Sequence, residues 1–162
     1  MDVEVIMNGR PLAVAVEPQE LLLDLLRDRL KLTGTKRSCE VQVCGTCTVL
    51  VDGEPVSACT YLAHEVHGRE VLTIEGMAAL PEFDRYEAAF DRHAALQCGF
   101  CTPGFLLTLK ALEDAGELRS EADLRHGLDG NLCRCTGYRA ILEAAREIAG
   151  LPAADHAGGP PA

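Results

Sequence analysis

Eight cysteines carry most of the chemistry open to this 162-residue chain, and they form two unlike quartets. Cys39-x4-Cys44-x2-Cys47 is followed by Cys59, and Cys98-x2-Cys101 is followed by Cys133-x-Cys135, so no cysteine is left over. Thiolates are soft ligands that select iron–sulfur clusters, zinc and cuprous ions over hard cations. Where thiols are kept reduced, eight of them read as metal ligands rather than as disulfides. The start, Met1-Asp2-Val3-Glu4-Val5-Ile6, has neither the basic nor the apolar region of a secretion signal, and no twin-arginine pair. The expected location is therefore cytoplasmic. The most apolar run, Leu21 to Leu26, is broken by Asp24 and followed by Arg27, so no membrane span is expected.

Ligands at these positions need elements to hold them. Val3, Val5 and Met7 alternate, Asn8-Gly9 turns, and Leu12, Val14 and Val16 alternate again, the pattern of a β-hairpin. Pro18 suits the first turn of a helix. Leu21, Leu22, Leu25, Leu26 and Leu30 then share one helical face, with Gly34 as its end. The loop after it carries Cys39, Cys44 and Cys47. Thr48–Val51 reads as a strand, Asp52-Gly53 as a turn, Val56 to Ala58 as the returning strand that delivers Cys59, Tyr61 to Val66 as a short helix and Val71 to Ile74 as another strand. Past Gly76 the period changes and no strand is expected beyond Pro81. Phe83, Tyr86, Phe90 and Ala94 line one helix. Thr102-Pro103 reads as the cap and first-turn proline of a second, with Phe105, Leu106, Leu109 and Leu112 inward and Gly116 as its stop. Ser120 with Asp123 caps a third to about Leu128, and Tyr138 to Ile148 forms a fourth. The fold class is thus α+β: a small mixed sheet with a helix, followed by an all-α four-helix bundle. The division expected is 1–76, 77–150, and a disordered Ala/Pro/Gly-rich tail over 151–162. Each folded part holds only about 75 residues, a size at which a metal often serves as a staple.

The spacing of Cys39, Cys44 and Cys47, closed by Cys59 across the Asp52-Gly53 hairpin, is the plant-type pattern for a [2Fe–2S] cluster. Gly45 lets the backbone wrap closely, and inward amides can bond the sulfurs. Zinc would want its second Cys-x2-Cys pair much nearer than residue 98. A Rieske centre would need histidines paired with cysteines, and His64 and His67, outside any Cys-x-His arrangement, read as surface residues. For the second quartet, Cys98-Gly99-Phe100-Cys101 also has the form of a thioredoxin-like redox pair, but its surroundings read as helical rather than βα. Spacing alone leaves a four-thiolate zinc site open there.

Gln97-Cys98-Gly99-Phe100-Cys101-Thr102-Pro103-Gly104 and Asn131-Leu132-Cys133-Arg134-Cys135-Thr136-Gly137-Tyr138 are specific strings. With Thr33-Gly34-Thr35-Lys36 and Cys44-Gly45-Thr46-Cys47-Thr48-Val49 they make the chain resemble the small iron–sulfur subunit of the xanthine oxidase family of molybdenum hydroxylases. Small subunits of aerobic carbon monoxide dehydrogenase and 4-hydroxybenzoyl-CoA reductase belong to the same group. The resemblance covers roughly residues 2–150. It implies a ferredoxin-like (β-grasp) domain and a helical domain, each with a [2Fe–2S] cluster: Cys39, Cys44, Cys47 and Cys59 for the first, Cys98, Cys101, Cys133 and Cys135 for the second. It also implies a large subunit holding molybdopterin-bound molybdenum, a medium subunit holding FAD, and a dimer of such heterotrimers. The helical-domain cluster would lie nearest molybdenum, with Cys135 and Gln97 against the pterin. Relatives often carry glycines around the first cysteine loop, where this chain has Ser38 and Gln42.

The implied function is an electron relay within an oxidoreductase complex, with no substrate-oxidising activity in the isolated chain and no catalytic residue of its own. No Gly-x-Gly-x-x-Gly loop or P-loop lysine is present to hold a nucleotide. A net charge of −10 argues against nucleic acid as a partner. The alternative function is a free-standing ferredoxin-type carrier, which would need only one exposed cluster.

Overall fold

The computed structural model describes residues 1–152. Most of the tail expected to be disordered, 153–162, lies outside the described residues. The first half is a five-stranded mixed sheet in the order β2-β1-β5-β3-β4. Its strands are β1 (Asp2–Met7), β2 (Arg10–Ala15), β3 (Thr48–Val51), β4 (Glu54–Ser57) and β5 (Glu70–Leu72). β1 and β5 run parallel, and the other neighbours antiparallel. Both hairpins turn as their sequences predict: Asn8 and Gly9, and Asp52 and Gly53, all adopt positive φ, the conformation that matches the twist of the flanking strands.

The leucine-rich segment departs from the single α-helix expected. Pro18 sits in a turn, α1 spans only Leu22–Asp24, and the chain then widens into a π-turn over Leu25–Arg29. Leu30 N–H reaches back five residues to the Leu25 carbonyl at 3.0 Å. Leu22, Leu23, Leu25 and Leu26 are all fully buried against Val3, Val5, Val49, Val51 and Val71. Four leucines in five positions cover more arc than one 3.6-residue stripe presents, and the wider turn turns all of them onto the sheet. Burying each contributes about 1.5–3 kcal/mol. Gly34 therefore lies in the following loop, not at the helix end.

The helical half holds α2 (Ile74–Met77), α3 (Phe83–Arg92), α4 (Thr102–Asp114), α5 (Glu121–Leu128) and α6 (Arg139–Ile148). Ile74 starts α2 rather than ending β5. Ala94 falls past the end of α3, at positive φ. Thr102 and Pro103 are inside the first turn of α4, and Cys101 occupies the cap position, so the helix starts one residue earlier than the expected threonine cap. Ser120 caps α5 as expected, its hydroxyl accepting from the Asp123 amide at 3.2 Å.

The two halves share a strand. Along β3 the side chains alternate faces: Val49 and Val51 enter the sheet core, while Leu50 joins Met77, Tyr86, Phe90, Phe105 and Leu109 in the core of the helical half. The join is tied again around Asn8, whose side chain donates to Thr73 Oγ1 (3.1 Å) and accepts from the Thr73 amide (2.8 Å). Gly76 lies against it, leaving no room for a Cβ, which would come within 2.2 Å of Asn8 Oδ1. The segment expected as the boundary, Gly76 to Pro81, thus contains the fully buried Met77.

Candidate metal centres

The loop before β3 carries Cys39, Cys44 and Cys47. Glu40, Gln42 and Gly45 adopt left-handed φ of 57°, 57° and 66°. Such reversals turn successive amides into a concave nest that favours negative charge. The Val43 amide donates to Cys39 Sγ at 3.4 Å. The Val41 and Val43 amides together bring the Cys39 thiol down to about 6. Burial pushes Cys47 the other way, up to about 12. Cys59 is set beside it because the Ala58 amide donates to the Cys47 carbonyl (3.2 Å) and the Ala58 carbonyl accepts from the Leu23 amide (3.0 Å). Cys44 beside Cys39 lowers that thiol a little further, and Cys59 is the neighbour that acts most on Cys47.

The second quartet is built at one end of the bundle. Cys98 lies between α3 and α4, Cys101 caps α4, and Cys133 and Cys135 lie between α5 and α6. Cys135 Sγ and Cys98 Sγ are 3.5 Å apart, and Cys133 is the cysteine that acts most on Cys101. Burial, followed by the contact with Cys133, pushes Cys101 up to about 12. Burial also works to raise Cys133, but the Thr136 hydroxyl and the amides of Cys135 and Thr136 overcome it and hold that thiol below its ordinary value. Cys98 is lowered chiefly by the Phe100 amide. Tyr138, itself at φ 69°, places its hydroxyl 3.0 Å from the Cys133 amide and packs edge-on against Phe105.

Each quartet offers four free thiols, the number of thiolates that a [2Fe–2S] cluster takes. Among the described residues, no group of three or more His, Cys, Asp or Glu draws in around a single ion. The donor set, all sulfur with amides and hydroxyls aimed at it, fits a [2Fe–2S] cluster at each place. His67, exposed as expected, accepts from the Glu4 amide at 3.2 Å, and His64 is half-buried. Gln97 is exposed next to Cys98.

What sequence reasoning missed is the contact between the two sites. The Leu132 amide donates to the Cys44 carbonyl at 2.9 Å, and the buried Asn131 side chain donates to the Gly45 carbonyl at 3.2 Å. Gly104, in the first turn of α4, closes on the same carbonyl. The hydroxyls of Thr46 and Thr136, each at a cysteine sulfur, were also missed. A hydroxyl residue inside a cysteine loop was the available signal.

The fold and the sulfur sites define a protein of two [2Fe–2S]-binding domains in tandem. Residues 5–73 match the 2Fe-2S iron-sulfur cluster binding domain, and residues 73–146 the [2Fe-2S] binding domain. The chain is 47% identical to the 6-hydroxypseudooxynicotine dehydrogenase complex subunit beta of Paenarthrobacter nicotinovorans, over 85% of this chain and 87% of that one. It is 39% identical to the xanthine dehydrogenase iron-sulfur-binding subunit of Escherichia coli O157:H7, over 86% and 89%. A crystal structure of quinoline 2-oxidoreductase from Pseudomonas putida 86 superposes with a TM-score of 0.86 at 42% identity, covering 92% of each chain. The chain belongs to the iron–sulfur small subunits of the xanthine oxidase family of molybdenum hydroxylases. It is a subunit of an oxidoreductase complex. Among the described residues no helix is long and apolar enough to cross a membrane.

Proposed function

We propose that this chain relays electrons between a molybdopterin centre in a large subunit and FAD in a medium subunit. Cys98, Cys101, Cys133 and Cys135, within residues 77–150, hold the cluster on the molybdenum side. Cys39, Cys44, Cys47 and Cys59, within residues 1–76, hold the one on the flavin side. The gathering of four cysteines at each place, with amides and hydroxyls turned to their sulfurs, carries the ligand assignment. Each quartet would supply four thiolates to one cluster. When bound, the clusters supply one-electron chemistry, and the chain holds, insulates and tunes them.

The exposed flank of the second quartet supports a large-subunit partner. Cys98 and Cys135 are exposed there, and Leu96, Phe100 and Leu132 are each more than 40% exposed around them. Apolar side chains ringing an exposed redox site suit a docked protein face, with Gln97 and Cys135 against the pterin. The assembly is a dimer of heterotrimers, in the cytoplasm, where eight free thiols stay reduced until they meet iron. Substrate choice resides in the molybdenum-holding subunit.

Metal analysis of the purified complex tests the assignment. Iron and acid-labile sulfide should each reach about four per chain. Cys133→Ser should halve both and abolish one of two electron paramagnetic resonance signals. A full complement in that variant would remove Cys133 from the ligand set.

A further inference from the structure

Each quartet contains one threonine whose hydroxyl meets a cysteine sulfur. Thr46 Oγ1 lies 3.2 Å from Cys44 Sγ, and both residues are buried. Thr136 Oγ1 donates to Cys133 Sγ at 3.1 Å. A cysteine sulfur bound to iron has no proton to give, so at both places the sulfur accepts and the hydroxyl donates.

The orientation of Thr136 is set by a closed ring of bonds. The Cys133 amide donates to Tyr138 Oη (3.0 Å), the Tyr138 amide donates to Thr136 Oγ1 (3.3 Å), and the Thr136 hydroxyl returns to Cys133 Sγ. With the Tyr138 amide on its lone pair, the hydroxyl hydrogen points at sulfur. Thr46 is aimed by its loop, held on one side by Gly45 at φ 66° and on the other by the Lys36 amide on the Thr46 carbonyl (3.1 Å).

We propose that Thr46 and Thr136 are positioning residues that raise the reduction potential of the cluster in their own quartet. This rests on the ligand assignment above. When a [2Fe–2S] cluster accepts one electron, one ferric ion becomes ferrous and the cage gains one negative charge. A hydrogen bond donated to a ligand sulfur strengthens as that sulfur becomes more negative, and a buried setting enlarges the difference. The hydroxyl therefore favours the reduced form.

The test is a reductive titration of the complete complex with dithionite and mediator dyes, followed by electron paramagnetic resonance. Thr46→Val keeps the shape and removes the hydroxyl. It should move the reduction equilibrium of the first cluster about tenfold toward the oxidised form, about 59 mV for a one-electron couple, and leave the second cluster where it was. Thr136→Val should do the converse. Thr46→Ser and Thr136→Ser should restore the parental values. If a valine variant fails to load iron, the alanine variant at that position carries the same comparison. An iron-replete variant with the parental potential overturns the hydroxyl's role alone, as does a serine variant that stays at the valine value. A parental complex with no iron or sulfide in this chain overturns the ligand assignment, and this proposal with it.

Discussion

The backbone amide of Leu132 donates to the carbonyl of Cys44 at 2.9 Å, so one hydrogen bond joins the two cysteine quartets. Leu132 precedes Cys133 directly, and both bonded residues lie in the cysteine loops themselves. The bond thus links a ligand-bearing loop of one site directly to a ligand-bearing loop of the other. The contact depends on two glycines pressed together, since a Cβ on Gly104 would come within 2.2 Å of the Gly45 carbonyl oxygen.

Gly104→Ala should therefore force the two loops apart. The loss expected for overpacking a site of backbone against backbone is about 1–3 kcal/mol. The spin–spin interaction between the two reduced clusters should weaken with it. Thermal melting and relaxation of the two resonance signals measure these effects, and a variant with parental melting and parental coupling would show that α4 can shift without disturbing the junction.

Gln42 adopts φ 57° without being glycine. A side chain there costs about 1–2 kcal/mol. Its amide oxygen recovers part of this by accepting from Thr60 Oγ1 at 3.2 Å, in an exposed setting. Gln42→Gly should raise stability by about 0.5–1 kcal/mol net of the greater freedom of glycine in the unfolded chain. Denaturation midpoints of the loaded protein measure the difference, and a fall would assign the larger effect to the Thr60 contact.

Glu121 ties α5 to α6 through Arg146, which is nearly buried and also bonds Glu143 at 3.0 Å. The Arg146 hydrogen bond, against a smaller opposing effect of burial, holds the Glu121 carboxyl below its ordinary value of 4.5. A carboxyl lowered in the folded state stabilises it above the unfolded value, and that contribution is lost as pH falls through the folded value. Glu121→Gln should cost up to about 1 kcal/mol at neutral pH, since the carboxylate is partly exposed. The gap to the parent should close as pH drops below 4.5, and denaturation midpoints across that range measure it. A constant gap would mean that packing rather than charge holds the pair.

The cysteine loops were legible because their residues lie close together in sequence. Cys39, Cys44 and Cys47 need no structure to be read as one loop. Asn8-Gly9, Asp52-Gly53 and the Ser120 cap were legible for a related reason: each is a local backbone demand met by a local residue. The π-turn after Leu25 was not, because the number of leucines a face must bury depends on the sheet beneath it. Leu50 looked like any strand residue, and only the docked helices show that it belongs to the other core. The Leu132–Cys44 bond joins residues 88 positions apart and uses backbone atoms, so no side-chain pattern announces it.

A strand whose alternate side chains serve opposite cores makes the polypeptide hard to divide. Cutting it near residue 78 would leave Leu50 on one fragment without its lid and Phe105 on the other without its floor, each sticky and short of partners. Gene fission at this joint should thus yield aggregates rather than two working ferredoxins.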